Sequence, residues 1–408
     1  MLARHEGQIV LVWGAIPGER VRARVERVSS NVLYAETTAV LDASEDRRDA
    51  IPDWRCGGST YAHIRYDRQC RLKGDIIRDA FGRIGRIPLT AAPAVMASPE
   101  RGYRMRARLH AQSGRLGFFR EGSREVCDPA LTGQLLPQTE QWIASAERAI
   151  AGAGLSGLHH VEMVENIAGE ERACHLDVDA GADVSRFAVL AQGLTGLTVT
   201  RTDDANLHLI AGMPTVSDVL HVRPDDPATA VRVRRDVRAF FQGNRYLIEP
   251  LVRHVAALVP PGPVLDLYAG VGLFGLSLAA HRADPVTLVE GDPVSGSSLA
   301  ANAEPFRGRV RVVRRSVESY LTGRNGTRDS TMIVDPPRTG MSRHAMAGII
   351  RAAAARIVYV SCDVATFARD ARALVEAGYE VGQITGFDLF PNTAHVEAVA
   401  SFTRIDDR

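Results

Sequence analysis

Between residues 264 and 404, short apolar runs alternate with helix-like segments, and nothing else in the chain constrains its fold as strongly. VLDLY precedes a helix expected from Gly272, PVTLVEG one from Pro293, TMIVDPP one after Gly340 and RIVYVSC one from Val364, with VRVVRRS as a further strand. Alternation of this kind builds a parallel sheet covered by helices on both faces, because each return to the same edge needs a crossover. The last two runs, ITGFDLF and HVEAVASF, are separated by Pro391-Asn392-Thr393. That is too short for a crossover helix, so the final strand must run antiparallel to its neighbour. The expectation is six parallel strands and one reversed strand.

In open α/β folds, ligands bind at the carboxyl edge of such a sheet. Val264-Leu265-Asp266-Leu267-Tyr268-Ala269-Gly270-Val271-Gly272 is a strand entering a glycine turn that opens a helix. Glu290 ends the next strand, where a carboxylate can accept both hydroxyls of an adenosine ribose. No third glycine follows, which suits S-adenosylmethionine, having no pyrophosphate to cradle, better than a dinucleotide. Asp335-Pro336-Pro337-Arg338 comes after the fourth strand, and proline stops the ladder there, holding Asp335 at the same edge. Arg338 occupies the place where nitrogen-directed methyltransferases often carry an aromatic residue, which disfavours stacking on an amino-bearing base.

Cys362 follows the fifth strand. A buried free cysteine ordinarily packs as a small hydrophobe. Here it lies beside a methyl-donor site, before a helix start expected to lower its pKa from ~8.5, and so reads as a nucleophile. A thiolate next to a methyl donor suits methylation of a pyrimidine at C5, a poor nucleophile until a thiolate adds at C6. The C5 proton must then leave to a base. His395 and Glu397 are both available, and strand alternation gives them one facing, so the residues alone leave the choice open.

These stretches, with FFQGN at Phe240 to Asn244 and FPNTAHVEAV, closely resemble the uridine-C5 RNA methyltransferases that make 5-methyluridine in tRNA and ribosomal RNA. The resemblance implies a Rossmann-like, S-adenosyl-L-methionine-dependent domain with a mostly parallel seven-stranded sheet. It assigns Cys362 as nucleophile and Glu397 as the base, with Gln242, Tyr268, Glu290, Asp335 and the turn glycines Gly270 and Gly272 at the cofactor. Leu273 stands where members often have Asn, and Val364 replaces a common proline that a helix start does not require. Cytosine-C5 or non-RNA methylation, or a catalytically silent RNA-binding protein, are the alternatives; retention of both Cys362 and Glu397 speaks against the silent one.

The N-terminal GAIPGERVRARV looks like the TRAM-type barrel of the same family. From the residues, QIVLV, VRARVERV and NVLYAETTAVL, punctuated by Gly and Pro, read as a small antiparallel OB-like barrel over residues 1–48. Residues 49–228 read as a mixed α+β RNA-binding region, and 229–408 as the catalytic domain. A helix over 59–82 would place Ile64, Leu72, Ile76 and Phe81 on one face, packing on the catalytic domain. Further on, Arg104, Arg106 and Arg108 alternate with Met105, Ala107 and Leu109, a strand with one basic face that gains weight as an RNA-holding surface.

Hydrophobic content of 45% and charged content of 24% are ordinary for a globular chain of 408 residues, and no run approaches a membrane span. No secretory signal is visible, so a cytoplasmic enzyme acting on rRNA or tRNA is expected, with no membrane and no obligate protein partner. The formal charge of +1 neither demands nor excludes nucleic acid. Five widely spaced cysteines, Cys56, Cys70, Cys127, Cys174 and Cys362, suggest reduced thiols. Several ribosomal-RNA members carry Cys-Gly-Gly-Cys and further cysteines around an iron–sulfur cluster. Here the motif is Cys56-Gly57-Gly58-Ser59 and Cys127 matches the last ligand poorly. Four thiolates are the usual requirement, so no cluster and no metal is expected, and Cys56 becomes a structural thiol.

Overall fold

A computed structural model describes residues 1–51, 53–223, 225–323 and 329–405. The linker residue Pro52 and the last three residues of the 229–408 range lie outside the described residues. The central sheet of the C-terminal half has the strand order Val310–Arg314, Val286–Glu290, Val264–Leu267, Thr331–Val334, Arg356–Ser361, Glu397–Arg404, Tyr379–Phe387. Only Glu397–Arg404 runs against the others, pairing antiparallel with both neighbours. An eighth strand, Val95–Met96, adds in parallel beyond Tyr379–Phe387. It comes from outside the alternating region, and a two-residue strand leaves no periodicity to read.

Alternation within the strands divides the core. Val358 and Val360 face helices Ile248–Leu258, Leu273–His281 and Pro293–Ala303. Ile357 and Tyr359 face helices Tyr66–Arg83, Arg343–Ala352 and Val364–Glu376. Helix Tyr66–Arg83 therefore belongs to the core of the C-terminal sheet, with Phe81 meeting Phe367 edge-on at 5.1 Å. It starts seven residues later than expected, and Ile77 rather than Ile76 is fully buried. Residues 59–64 form turns instead, tied to the C-terminal loop by the Tyr61 amide donating to the Asn392 carbonyl at 2.8 Å.

The middle of the chain builds a seven-stranded mixed sheet, with helix Pro137–Gly152 packed on it. Its strand Arg106–Gln112 buries Ala107 and Leu109, with Met105 just before it, while the arginines take the other face. The hairpin of Thr215–His221 and Ala230–Asp236 packs Leu220, Val231 and Val233 into the core of the C-terminal sheet.

The N-terminal module departs from the expected all-antiparallel strand pairing. Strands Leu2–His5, Gln8–Trp13, Arg20–Ser29 and Val32–Asp42 form a four-stranded sheet in the order first, second, fourth, third. Gln8–Trp13 and Val32–Asp42 pair in parallel. Among the described residues no strand pairs the first edge to the last. Only Val10, Val12, Ala15 and Ala35 form its own core, too few to wrap a barrel around, and strand Arg20–Ser29 is exposed along nearly its whole length.

The cysteine expectation also fails in part. Cys56 and Cys127 form a disulfide, so Cys56 is not a free structural thiol; Cys70, Cys174 and Cys362 are the free ones. The partners are 71 residues apart in sequence and 5.7 Å apart at Cα, a proximity made by tertiary folding that spacing does not reveal. Two sulfurs bonded to each other are lost to a cluster, and Ser59 offers no thiolate. Among the described residues no group of His, Cys, Asp and Glu is arranged to hold a metal ion.

Candidate active site

The carboxyl edge of the sheet opens into a cavity of about 700 Å³. Strand ends deliver its chemistry. Tyr268 and Gly270 follow the first strand, Glu290 ends the second, Asp335 follows the fourth and Cys362 the fifth; Gln242 enters from the preceding loop, and all line the cavity. Glu397 joins them because its strand is reversed: its first residue lies at the edge where the others end. The register pairs Ser361 with Ala398, so one further step sets Cys362 opposite Glu397.

The turn after Leu267 is tight. Tyr268 has φ 60°, an uncommon conformation for a side chain this bulky, and Gly270 and Gly272 also have positive φ. Gly272 does not line the cavity. It caps helix Leu273–His281, and a Cβ there would stand 2.4 Å from Leu276. Its positive φ makes the turn possible. The Gly270 amide donates to Glu290 Oε2 at 2.7 Å and the Asp292 amide to Oε1 at 2.6 Å, which fixes the carboxylate and leaves lone pairs on each oxygen for ligand hydroxyls.

Cys362 sits between strand Arg356–Ser361 and helix Val364–Glu376, whose N-cap Asp363 accepts from the Thr366 amide at 2.8 Å. The helix start is as expected, but the thiol is not activated by it. Burial pushes Cys362 up to about 12, the Glu397 and Asp335 carboxylates add to the rise, and the Arg338 guanidinium opposes it. A single helix terminus is outweighed by burial and two acids.

Glu397 is 1% exposed and neither carboxylate oxygen has a hydrogen-bond partner. Burial first, and then the Asp335 charge, hold it well above the ordinary carboxylate range, against the pull of Arg338. Asp335 is raised to about 7 by burial, although the Gln242 amide donates to its Oδ2 at 3.4 Å. Such a set is adapted to hold and release protons near neutral pH.

His395 parts from Glu397. It precedes the strand and so escapes its alternation; its exposed ring stands 6.1 Å from Phe390 and lines a different, adjoining cavity. Residues not assigned a role from the sequence also shape the site. Phe240, 59% exposed, and Phe390 both line the reaction cavity. Both lie inside the quoted FFQGN and FPNTAH stretches, and their aromatic character is the signal that could have marked them. The Asn244 of FFQGN is a brace instead, donating to Ser98 Oγ at 2.9 Å and to the Leu389 carbonyl at 3.2 Å.

An apolar-walled cavity with a fixed carboxylate at its end, on this strand order, defines a Rossmann-like methyltransferase that uses S-adenosylmethionine. Comparison with known proteins narrows the class. Residues 214–405 match the model of the tRNA (uracil-5-)-methyltransferase family, and residues 1–38 match the TRAM domain. The chain is 30% identical to a Pseudomonas putida 23S rRNA (uracil(1939)-C(5))-methyltransferase over 98% of its length and 90% of that protein. A Methylococcus capsulatus protein of the same description is 31% identical over 99% of this chain and 94% of that one. A solved structure, Pyrococcus abyssi tRNA (uracil-54, C5)-methyltransferase with S-adenosyl-L-homocysteine, superposes with a TM-score of 0.78 at 25% identity, covering 97% and 95% of the two chains. The chain belongs to the RNA uracil-C5 methyltransferase family, and it is an S-adenosylmethionine-dependent enzyme of that activity.

Proposed function

We propose that the enzyme methylates C5 of one unstacked uridine in ribosomal or transfer RNA, in the cytoplasm, through a covalent bond between Cys362 and C6. The observation that carries this reading is the meeting of Cys362 and a buried, unpartnered Glu397 in one cavity. Residues 1–48 and 49–228 serve in this reading to hold RNA, and residues 229–408 to perform the chemistry.

Cys362 as thiolate adds to C6, and the C5–C6 π pair moves toward C5 and O4 as an enolate. When bound, the cofactor supplies the methyl group and a positive charge that favours the ionised forms of Cys362, Asp335 and Glu397 alike. Glu290 and the Gly270 turn would hold its adenosine end, and Gln242 and Asp335 its amino-acid end. C5 of the ring held by Cys362 would take that methyl group, its bond pair to sulfur staying with the departing cofactor. Glu397 then removes the C5 proton; that electron pair rebuilds C5=C6 and expels the Cys362 thiolate. A raised pKa makes Glu397 a stronger base than an exposed carboxylate, and its missing partners leave both oxygens free for the task. Arg338 beside Cys362 steadies the thiolate.

The test is methyl transfer to rRNA and tRNA transcripts followed by nucleoside analysis. Wild type should form 5-methyluridine, and Cys362→Ala should form none. Glu397→Gln should methylate once and remain bound, giving a denaturation-resistant protein–RNA complex on ordinary RNA. A Cys362→Ala enzyme that still methylates would refute the covalent route.

A further inference from the structure

A second cavity, of about 570 Å³, adjoins the reaction cavity and plays no part in the steps above. Arg338 and Phe390 line both cavities, so the two share a threshold rather than opening at unrelated places. All three parts of the chain meet around it: Trp13 and Tyr34 from the N-terminal sheet, Arg108 and Phe119 from the central sheet, and His395 from the catalytic loop. Its size falls within the usual range for small-ligand sites.

The wall is aromatic and basic. His110 and Phe119 stack at 3.5 Å between centroids with 11° between their planes, and both are only half-buried, so the pair offers a ready flat platform. Arg104 lies over the Phe118 ring at 5.0 Å, and Arg108 stands on the exposed side. Glu121 is the one carboxylate among the lining residues. Flat rings interleaved with guanidinium groups are what single-stranded RNA uses, through base stacking and phosphate contact.

His63 is a buried imidazole of the same cavity. It is 4% exposed and in the cavity wall, and its Nδ1 has no hydrogen-bond partner. Burial lowers the imidazole to about 4, so the ring is neutral. Its Nε2 faces the Ala15 carbonyl at 3.4 Å and must carry the proton, which leaves Nδ1 as a buried acceptor.

We infer that this second cavity is a subsite for an unstacked nucleotide next to the target uridine on the same RNA strand. Its base lies against the His110–Phe119 platform and its backbone crosses the Arg338–Phe390 threshold. The inference rests on the proposed RNA reaction and names the part of the substrate that sets recognition beyond the uridine itself.

The test is binding without cofactor, kept apart from methylation. Fluorescence anisotropy would compare a short single-stranded RNA holding one central uridine with two versions abasic immediately 5′ or 3′ of it. One abasic RNA should bind wild type about tenfold more weakly, the magnitude expected for one lost base–aromatic stack. Phe119→Leu should lose the same factor on intact RNA and nothing further on that abasic RNA. His110→Ala carries the same prediction and serves if Phe119→Leu does not fold. A wild type that does not distinguish the RNAs, or a variant whose loss is equal on all of them, overturns the subsite. The proposed reaction fails by a different result, the absence of 5-methyluridine in RNA treated with wild type.

Discussion

At the scale of single residues, the site is dominated by acids kept from water. Asp266 lies inside the first strand, fully buried, with Oδ2 accepting from the Gly275 amide at 2.8 Å and Oδ1 unpartnered. Burial raises it to about 8, and Asp335 is raised to about 7. An acid whose folded pKa exceeds its unfolded value keeps a proton that the unfolded chain has lost. Its contribution is present below the unfolded pKa near 4 and is lost as pH rises toward 7 or 8, at about 1.4 kcal/mol per unit for each titrating group. The melting temperature of the ligand-free enzyme should therefore fall between pH 5 and pH 8 on this account. Asp266→Asn should flatten that slope and melt above wild type at pH 8, as calorimetry would reveal; an unchanged slope would show that Asp266 is not held protonated. The same surroundings bear on Cys362. With the thiol pushed up to about 12, alkylation by iodoacetamide at pH 8 without cofactor should be at least tenfold slower than for free cysteine.

At the scale of elements, the helix Tyr66–Arg83 and the loop 388–396 are held together by the chain's only lysine. Lys73 is fully buried, with Nζ donating to Asp388 Oδ1 at 2.5 Å and to the Phe390 carbonyl at 3.0 Å. Gln69, one helical turn earlier, accepts from the Asn392 amide at 2.9 Å, and Asn392 takes the left-handed conformation with φ 64°. The loop so braced carries Phe390 and leads into Glu397. Lys73→Met should leave Asp388 buried without its cation and cost roughly 3–5 kcal/mol in chemical denaturation, with Asp388→Asn in the same chain recovering part of the loss. The second tie is the Cys56–Cys127 disulfide, which closes a long loop; reduction should lower stability by roughly 4 kcal/mol. A melting curve indifferent to reductant would show the bond to be absent from the protein in solution.

These elements also show what the sequence could reveal. Helix Val364–Glu376 and the reversed last strand were legible because alternation and a short connection act locally. Helix Tyr66–Arg83 was half legible: its apolar face was visible, but its start was not, since 59–64 are held in turns by the distant Asn392. Cys56 was misread for the same reason, its partner being set by tertiary folding.

At the scale of the whole molecule, the carboxyl edge of the sheet collects residues from five strand ends, placed there by strand order, and Gln242 from a loop. Gln242, Tyr268, Gly270, Glu290, Asp335, Cys362 and Glu397 line one cavity, while His395 turns to the next. That separation depends on the start of one strand, which alternation cannot locate. The N-terminal module was legible as strands but not as an open sheet with a parallel pair, because strand pairing is a long-range choice. The thiol's pKa was misjudged because helix starts are visible in sequence and burial beside two acids is not.

The claim at the centre of this account is that Cys362 bonds to the pyrimidine. Fluorine at C5 cannot leave as a proton does, so RNA containing 5-fluorouridine should trap the enzyme after methyl transfer. The direct measurement is peptide mapping of wild type incubated with such RNA and S-adenosylmethionine. The account predicts a methylated 5-fluorouridine adduct on Cys362, absent when cofactor is omitted. Methylated ordinary RNA with no adduct, or an adduct on another residue, would contradict it.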